Sequence, residues 1–261
     1  MCGIIGFVGN TDATPILVEG LKRLEYRGYD SAGIAVVSDG ELSIRKCAGK
    51  ISQLEQLLAE SPVSGTTGIA HTRWATHGPA TTTNAHPHIG RTGRVAIVHN
   101  GIIENYTTLR HHLEKEDVAF HTDTDSEIIA HLIERAMAAR READDAPDDP
   151  VVLLEQAVSE TVKLLEGTYG IAVACADTPD ALVGARKGSP LCLGIGDGAM
   201  FIASDVSAFV TFTRQVVYLD DNEIVTLRDA SYQTKTFERA PVSKDVMEVS
   251  WDADEIGRAG Y

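Results

Sequence analysis

Short apolar segments separated by turn residues run through most of this sequence, and they constrain the fold more than any other feature. Residues 3–8 begin the series, and the Asp39-Gly40 pair between residues 32–37 and 41–46 predicts a β-hairpin. Similar segments predict further strands at residues 68–71, 95–99, 171–174, 181–185, 191–195, 200–203, 216–219, 223–226 and 232–237.

Amphipathic segments predict helices at residues 13–25, 51–59, 104–115, 126–140 and 151–165. For the helix at 126–140, Thr124 or Asp125 is the predicted N-cap. Its Glu127 and Glu134 fall on the predicted solvent side. The acidic, proline-containing stretch at 142–150 predicts a loop. Many hairpin-like strands with separate helices favour an α+β fold in which helices cover antiparallel sheets.

The formal net charge of −15 disfavours a role in nucleic-acid binding, because an acidic surface repels phosphates. The same charge is compatible with an ordinary acidic surface or with adaptation to a high-salt cytosol. No apolar run approaches the ~18 residues of a membrane-spanning helix, and no basic segment precedes the apolar N-terminus. The four cysteines show no CxxC pairing, which favours a reducing, cytoplasmic setting.

Cys2 is the most informative single residue, because it follows the initiator Met and precedes an apolar strand. Removal of Met1 would leave Cys2 with a free α-amine of reference pKa about 8 beside a thiol of about 8.5. One residue would then supply both a nucleophile and its base. The alternative is that Cys2 is an ordinary small residue at the start of a strand.

All nine histidines lie between residues 71 and 131. Taken singly, each position favours an ordinary core or surface histidine over a catalyst or a metal ligand. A metal site would use His86, His88 and His77, but no HExxH motif or cysteine partner accompanies them. We therefore expect no metal and no other cofactor.

Three further positions allow either a functional or a structural interpretation. Arg73, at a strand end, suits a carboxylate clamp or a surface ion pair. Asn100-Gly101 follows an apolar strand and suits an oxyanion hole or a simple turn. Asp125 suits a helix N-cap or a partner for a substrate ammonium.

Taken together, these residues belong to motifs that occur in one order along the chain. The sequence resembles the glutaminase domain of the glutamine–fructose-6-phosphate aminotransferases, which are class II glutamine amidotransferases. The matching motifs are CGIIG at 2–6, RLEYRGYDSAG at 23–33, HTRWATHG at 71–78, NAHPH at 84–88, HNGIIEN at 99–105 and TDSE at 124–127. The second and fourth motifs resemble this sugar-phosphate branch more than the amidophosphoribosyltransferases or the asparagine synthetases.

The resemblance implies a four-layer αββα sandwich of antiparallel sheets with an N-terminal nucleophile fold. It implies a glutaminase domain over residues 2–240, followed at 241–261 by a linker toward a sugar-isomerase half that binds fructose 6-phosphate. The full-length protein is expected to be a homodimer in the cytoplasm.

The resemblance also implies hydrolysis of L-glutamine to glutamate and ammonia through a γ-glutamyl thioester on Cys2. In this assignment the α-amine of Cys2 is the general acid and base, and Asn100 and Gly101 form the oxyanion hole. The residues implied around the substrate are Arg73, Thr76 and His77 at its α-carboxylate, Asp125 at its α-ammonium, Trp74 on the covering loop and His86 as support for that loop.

Other functions remain open from the sequence alone. They are another class II amidotransferase, an N-terminal-cysteine acylase on other amides, a non-catalytic glutamine-binding module and a histidine-cluster metal protein. Arg73 together with Asp125 disfavours the general acylase, because the two opposite charges suit the head group of an amino acid.

Overall fold

The computed structural model describes residues 2–228 and 230–250. The described helices are α1 (Ala13–Arg23), α2 (Ile51–Glu60), α3 (Tyr106–Glu114), α4 (Glu127–Arg141) and α5 (Pro150–Val162). The described strands are β1 (Gly3–Gly9), β2 (Ser31–Ser38), β3 (Glu41–Ala48), β4 (Thr67–Arg73), β5 (His88–Ile89), β6 (Val95–Ile103), β7 (Gly167–Cys175), β8 (Ala181–Lys187), β9 (Cys192–Gly196), β10 (Ala199–Ala203), β11 (Gln215–Tyr218), β12 (Glu223–Arg228), β13 (Ser231–Thr236), β14 (Pro241–Val242) and β15 (Met247–Glu248).

The strands form two sheets in which every strand pair within the described residues is antiparallel. The first sheet has the order β15-β11-β9-β10-β1-β4-β2-β3, and the second has the order β14-β13-β12-β8-β7-β6-β5. β1 therefore lies inside the first sheet, between β10 and β4, and Cys2 directly precedes it.

Three apolar cores separate four layers. In β1, Ile4 and Val8 pack into the core between the sheets, whereas Ile5 and Phe7 pack into the core under α1 and α2. A third core lies between the second sheet and the helices α4 and α5. Strands buried on both faces need continuous apolar sequence, which explains the uninterrupted runs in these segments. The αββα sandwich predicted from the sequence is confirmed.

Local sequence explains several helix boundaries. The Asp12 carboxylate accepts the Thr14 N–H at 3.1 Å and caps α1, and Asp149 caps α5 directly before Pro150. The predicted N-cap of α4 is wrong. Ser126 occupies the N-cap position, and its side chain makes no capping hydrogen bond. Asp125 does not cap the helix either, because its carboxylate accepts the Ile103 N–H at 2.8 Å.

The predicted solvent side of α4 is also wrong at its first residue. Glu127 is 3% exposed, and its carboxylate accepts hydrogen bonds from the backbone N–H groups of His121 and Thr122 at 2.9 and 2.8 Å. Glu134 is half-buried and accepts the N–H of Thr92 at 2.8 Å. Both carboxylates hold preceding loops, a use of glutamate that helical periodicity does not reveal.

The chain continues in the sandwich beyond residue 240. β14 pairs with β13 and β15 pairs with β11, so one short strand is added to each sheet. The boundary predicted at 240 thus precedes residues that still belong to the fold, and positions 251–261 of the predicted linker lie outside the described residues. Across the described ranges, no helix has the length and hydropathy needed to span a membrane.

Candidate active site

Cys2 lies at the head of β1 and meets residues from distant parts of the chain. Its Sγ accepts the Trp74 N–H at 3.2 Å. Its carbonyl oxygen accepts hydrogen bonds from Asn100 Nδ2 at 3.3 Å and Arg27 Nη1 at 3.4 Å. The carbonyl is therefore held from two sides, which fixes the backbone that carries the thiol.

The electrostatic environment of the thiol favours its neutral form. Burial raises the pKa of Cys2, although the hydrogen bond from Trp74 and the positive charge of Arg73 lower it in part. Because a thiolate is the reactive species, a nearby base is needed to accept the thiol proton. An α-amine on Cys2 would be such a base; Met1 lies outside the described residues.

A cavity of about 580 Å³ opens beside Cys2. Every residue proposed for the site from the sequence lines it, including His86. These residues are Cys2, Arg73, Trp74, Thr76, His77, His86, Asn100, Gly101 and Asp125. They come from strands of both sheets and from the loops after them, so only the stacking of the sheets brings them together.

Arg73 is 4% exposed and binds the loop that follows its own strand. Its Nη1 donates to Pro79 O at 3.1 Å, and its Nη2 donates to Gly78 O at 3.2 Å and to His77 O. In this geometry the guanidinium shapes the loop at residues 77–79 while it lines the cavity. The sequence allowed either a carboxylate clamp or a surface ion pair for Arg73. In the structure its guanidinium is buried and donates to backbone carbonyl oxygens.

Asp125 faces the same cavity and is 4% exposed. One carboxylate oxygen accepts the Ile103 N–H at 2.8 Å, and the other accepts the Ser126 hydroxyl at 3.4 Å. Ser126 Oγ lies 2.9 Å from His99 Nδ1. Ser126 Oγ therefore lies between the Asp125 carboxylate and the His99 imidazole, and the three side chains form one hydrogen-bonded chain.

Gly101 adopts a backbone conformation that only glycine tolerates easily. Its φ is +129°, and a Cβ there would lie 2.0 Å from the Thr168 carbonyl oxygen on the neighbouring strand β7. The preceding Asn100 then projects between the sheets, toward β1 and β4. The Asn100-Gly101 pair is thus part of β6, where the sequence left open a simple turn.

The loop after β4 covers one side of the cavity. Trp74 is 54% exposed and packs against Gly28, where a Cβ would lie 2.8 Å from the indole ring. Asp30 anchors the next residue, because its carboxylate accepts the Ala75 N–H at 2.6 Å. Thr76 and His77 follow on this loop, and His77 makes an edge contact with the Tyr106 ring at 5.5 Å.

His86 lies on a second loop, which the half-buried Lys46 holds in place. Lys46 Nζ donates to the carbonyl oxygens of Thr83, Ala85 and Pro87 at 3.0, 2.8 and 3.3 Å. His86 Nδ1 accepts the His99 N–H at 3.3 Å. His86 therefore contacts the backbone of β6 next to Asn100 rather than lying at the surface of the loop.

Four buried histidines surround the inner wall of the cavity. The rings of His71 and His86 stack at 4.1 Å, and those of His86 and His88 meet at 4.3 Å. Burial lowers the pKa of His71 to about 3, and it lowers the pKa values of His86, His88 and His99 as well. All four are therefore neutral at pH 7. In the part of the chain that the structure describes, no group of three His, Cys, Asp or Glu side chains is arranged to hold a metal.

Sequence reasoning missed several residues that hold the site. Arg27 binds the Cys2 carbonyl and pairs with Asp205 at 2.5 Å. His71 contacts Asn100, and Ser126 contacts Asp125. His71, Arg27 and Ser126 lie inside the motifs at 71–78, 23–33 and 124–127, but within those motifs no pattern marked them as residues that hold the site.

A cysteine at the head of a central strand, facing a side-chain amide across a two-sheet sandwich, defines the site of an N-terminal nucleophile hydrolase. Comparison with known proteins agrees with this class. A model of the glutamine amidotransferase domain family matches residues 71–211, which is more than half of the chain. The chain belongs to this family of glutamine amidotransferase domains.

Relatives and solved structures place the chain within the family. The glutamine–fructose-6-phosphate aminotransferase (isomerizing) of Chlorobaculum tepidum is 47% identical, over 100% of this chain and 41% of the relative. That of Aquifex aeolicus is 46% identical, over 100% and 42%. The glutamine phosphoribosylpyrophosphate amidotransferase from B. subtilis, complexed with ADP and GMP, superposes with a TM-score of 0.72 at 28% identity, over 90% of this chain and 49% of that one. The chain thus spans about two fifths of the length of the two aminotransferases.

Proposed function

We propose that this chain hydrolyses L-glutamine to glutamate and ammonia, with Cys2 as the nucleophile. The observation that carries the proposal is the position of the Cys2 thiol in a cavity that also contains the Asn100 amide, the Arg73 cation and the Asp125 carboxylate. An amide donor near the thiol suits a tetrahedral oxyanion. Opposite charges in the same cavity suit the α-carboxylate and α-ammonium of an amino acid.

The reaction divides into two steps. The Cys2 sulfur attacks the side-chain carbonyl carbon of glutamine, and its proton passes to the α-amine exposed by removal of Met1. The oxyanion accepts hydrogen bonds from Asn100 Nδ2 and the Gly101 N–H. The C–N bond then breaks as the amine returns the proton to the leaving nitrogen, which departs as ammonia. Water attacks the resulting thioester, releases glutamate and restores the thiol.

The remaining residues of the site are assigned to the substrate and to the loops. Arg73, Thr76 and His77 hold the α-carboxylate, and Asp125 holds the α-ammonium. Trp74 covers the bound substrate, and its exposure leaves it able to move with its loop. His86 supports the site through the backbone of β6. The chemistry requires neither a metal nor an organic cofactor.

The relatives' name suggests the use of the ammonia. We propose that the chain is the ammonia-supplying part of an enzyme that converts fructose 6-phosphate to glucosamine 6-phosphate. Its partners would be a sugar-isomerase half and, in the full-length enzyme, a second copy. A cytoplasmic location suits the unpaired thiols of Cys2, Cys47, Cys175 and Cys192. This chain alone should form no glucosamine 6-phosphate from glutamine and fructose 6-phosphate, and product formation would contradict this division of roles.

The central test combines covalent labelling with turnover. The Met-free protein is treated with 6-diazo-5-oxo-L-norleucine and mapped by peptide mass spectrometry, and ammonia release from glutamine is measured in parallel. We expect one adduct on Cys2 that excess glutamine blocks, and we expect Cys2→Ala to abolish turnover. Cys47→Ala is the matched control, because Cys47 is a half-buried thiol that does not line the cavity.

Two results would contradict the proposal. A folded, Met-free protein that forms no adduct and releases no ammonia would be a non-catalytic binding module. Turnover of simple amides at a rate equal to that of glutamine would indicate a general N-terminal-cysteine acylase. Retention of Met1 in the sample must be excluded first by intact mass, because the amine of Cys2 would then be acylated.

A further inference from the structure

His71 is fully buried between the two sheets and takes no part in the mechanism above. It lies on β4 of the first sheet, yet its Nε2 faces two oxygens of β6 in the second sheet. Nε2 is 3.1 Å from His99 O and 2.9 Å from Asn100 Oδ1. The contact therefore crosses the interface between the sheets directly behind the cavity.

The His99 carbonyl determines which nitrogen of His71 carries the proton. A backbone carbonyl can only accept a hydrogen bond, so Nε2 must be protonated to bind it. Nδ1 is buried and has no hydrogen-bond partner among the described residues. Desolvation in this interior keeps the imidazole neutral. His71 is thus a fixed Nε2–H donor rather than a ring that can exchange tautomers at will.

That donor in turn determines the orientation of the Asn100 amide. The end of the amide next to His71 must be the oxygen, because a flipped amide would set an N–H group against the N–H of the imidazole. The other end, Nδ2, is then directed to Cys2, where it donates to the carbonyl oxygen at 3.3 Å. Nδ2 carries a second hydrogen, which can form a hydrogen bond to an oxyanion beside the thiol.

The backbone of His99 is held on both sides by stacked rings. Its carbonyl accepts from His71, and its N–H donates to His86 Nδ1 at 3.3 Å. Because the two imidazoles stack at 4.1 Å, neither ring can rotate without displacing the other. The orientation of Asn100 thus rests on a rigid arrangement and not on one isolated hydrogen bond.

We propose that His71 is the positioning residue of the oxyanion site, whose Nε2–H holds the Asn100 amide with its nitrogen toward the reacting carbonyl. The inference rests on the proposed glutamine hydrolysis and adds to it a residue that touches no substrate. A misplaced donor weakens oxyanion binding in the transition state more than it weakens binding of ground-state glutamine. The effect should therefore fall on kcat and leave KM near its original value.

Two substitutions separate positioning from packing. His71→Leu keeps an apolar side chain of related volume but loses the donor, and we expect kcat to fall roughly 10- to 100-fold with little change in KM. His71→Gln can place an amide N–H near the Nε2 position and should retain a much larger share of kcat. Alkylation of Cys2 by iodoacetamide forms no oxyanion, so its rate should be similar in both variants and in the unmodified sequence.

A double-mutant cycle sharpens the test. If His71 acts through Asn100, His71→Leu should cost no further activity in an Asn100→Ala background. Equal kcat in His71→Leu and the parent protein would overturn the inference, and so would fully additive losses. If the parent protein releases no ammonia from glutamine, the proposed function is wrong. If the parent is active and His71→Leu is equally active, only the role of His71 is wrong.

A spectroscopic measurement on the parent protein does not depend on turnover or on a variant that folds. Long-range ¹⁵N–¹H correlation spectra distinguish the two neutral tautomers of histidine and the imidazolium. We expect the His71 signals of the neutral Nε2–H tautomer at pH 7. An Nδ1–H tautomer or a charged ring would overturn the inference, because neither leaves His71 as the neutral donor that fixes the Asn100 amide.

Discussion

The backbone N–H of Trp74 donates to the sulfur of Cys2 at 3.2 Å, although 72 positions separate the two residues. They meet because β1 and β4 are neighbours, with Gly3 opposite Thr72. The Cys2 sulfur is therefore tied to the first residue of the loop that covers the cavity. Any movement of that loop that displaces the Trp74 N–H also removes a hydrogen bond that favours the thiolate.

Replacement of Gly101 by alanine should damage both fold and activity. The new Cβ would lie 2.0 Å from the Thr168 carbonyl oxygen at a φ of +129°. We expect a loss of at least about 3 kcal/mol in the free energy of unfolding, since both the strand pairing and the backbone would be strained. Urea denaturation measures this loss, and ammonia release measures the effect on the site.

Gly93→Ala is the matched control for that substitution. Gly93 also has a positive φ, of +72°, but a Cβ there would meet nothing within 4 Å. Only the backbone cost of about 1 kcal/mol should remain, and activity should be unchanged. Equal destabilisation by the two substitutions would show that contact with Thr168 is not what requires glycine at position 101.

Replacement of Asp125 by asparagine should weaken glutamine binding specifically. Asparagine can still accept the Ile103 N–H through its carbonyl oxygen, so the local structure should persist. The charge opposite the substrate ammonium is lost, and we expect KM for glutamine to rise about tenfold or more. Steady-state kinetics of ammonia release provide the measurement.

Asp123→Asn tests whether that effect is a general consequence of removing an acidic charge near α4. Asp123 is exposed and accepts a hydrogen bond from Asn84 at 3.3 Å, and it does not line the cavity. Its KM should stay within about twofold of the parent value, as expected for a screened surface charge. An unchanged KM in Asp125→Asn would remove Asp125 from the substrate site.

Loss of the Lys46 ammonium should loosen the loop that carries His86. Lys46→Met leaves three carbonyl oxygens without their donor, and we expect about 2–4 kcal/mol of destabilisation. Lys115→Met changes an exposed lysine and should stay within about 0.5 kcal/mol of the parent. Thermal and urea unfolding give both values. Equal stability of the two variants would show that the three carbonyl contacts of Lys46 contribute nothing.

The buried histidines predict a loss of stability in mild acid. Burial holds the pKa values of His71, His86, His88 and His99 below the unfolded value of about 6.5, so below that pH the unfolded chain binds more protons. The stability present above pH 6.5 is therefore lost as the pH falls. Each such histidine contributes about 1.4 kcal/mol per pH unit to the slope.

His88→Gln isolates one contribution to this slope. Glutamine can keep a hydrogen bond to Thr124, which lies 3.2 Å from His88 Nε2, but it does not titrate. Between pH 6 and 5, the slope of the unfolding free energy against pH should decrease by the equivalent of about one proton, which is about 1.4 kcal/mol per pH unit. The control His112→Gln, at an exposed position, should leave this slope unchanged. An unchanged slope in His88→Gln would mean that His88 is protonated in the folded state.

The carboxylate of Glu127 acts at lower pH. Burial raises its pKa, but the His131 ring at 3.6 Å and hydrogen bonds from the His121 N–H and from the Thr122 N–H and hydroxyl outweigh this and lower the pKa to about 2. Its stabilising contribution is therefore complete above about pH 4.3 and is lost as the pH falls toward 2. This window begins about two pH units below that of the histidines, so the loss of stability between pH 6.5 and 4.3 reports the histidines alone, and Glu127 adds to it only below that.

Prediction from sequence succeeded where the signal is local. The Asp39-Gly40 turn and the alternating segments around it located β2 and β3, because turn chemistry and side-chain periodicity act over a few residues. Prediction failed at the start of α4, where Asp125 and Glu127 bind distant or preceding backbone groups instead of capping the helix or facing solvent. Polar side chains have several possible partners, and the sequence does not say which is near.

The sequence by itself determined the helices and most strands, the αββα class through its family resemblance, and the candidate residues of the site, such as Cys2 and Asn100. Only the tertiary structure decided how these residues are oriented. Arg73 binds loop carbonyls, and His71 reaches across two sheets to hold the Asn100 amide. The physical reason is that periodicity fixes which face of a strand is buried, whereas hydrogen-bond partners depend on how strands far apart in the chain come to be stacked.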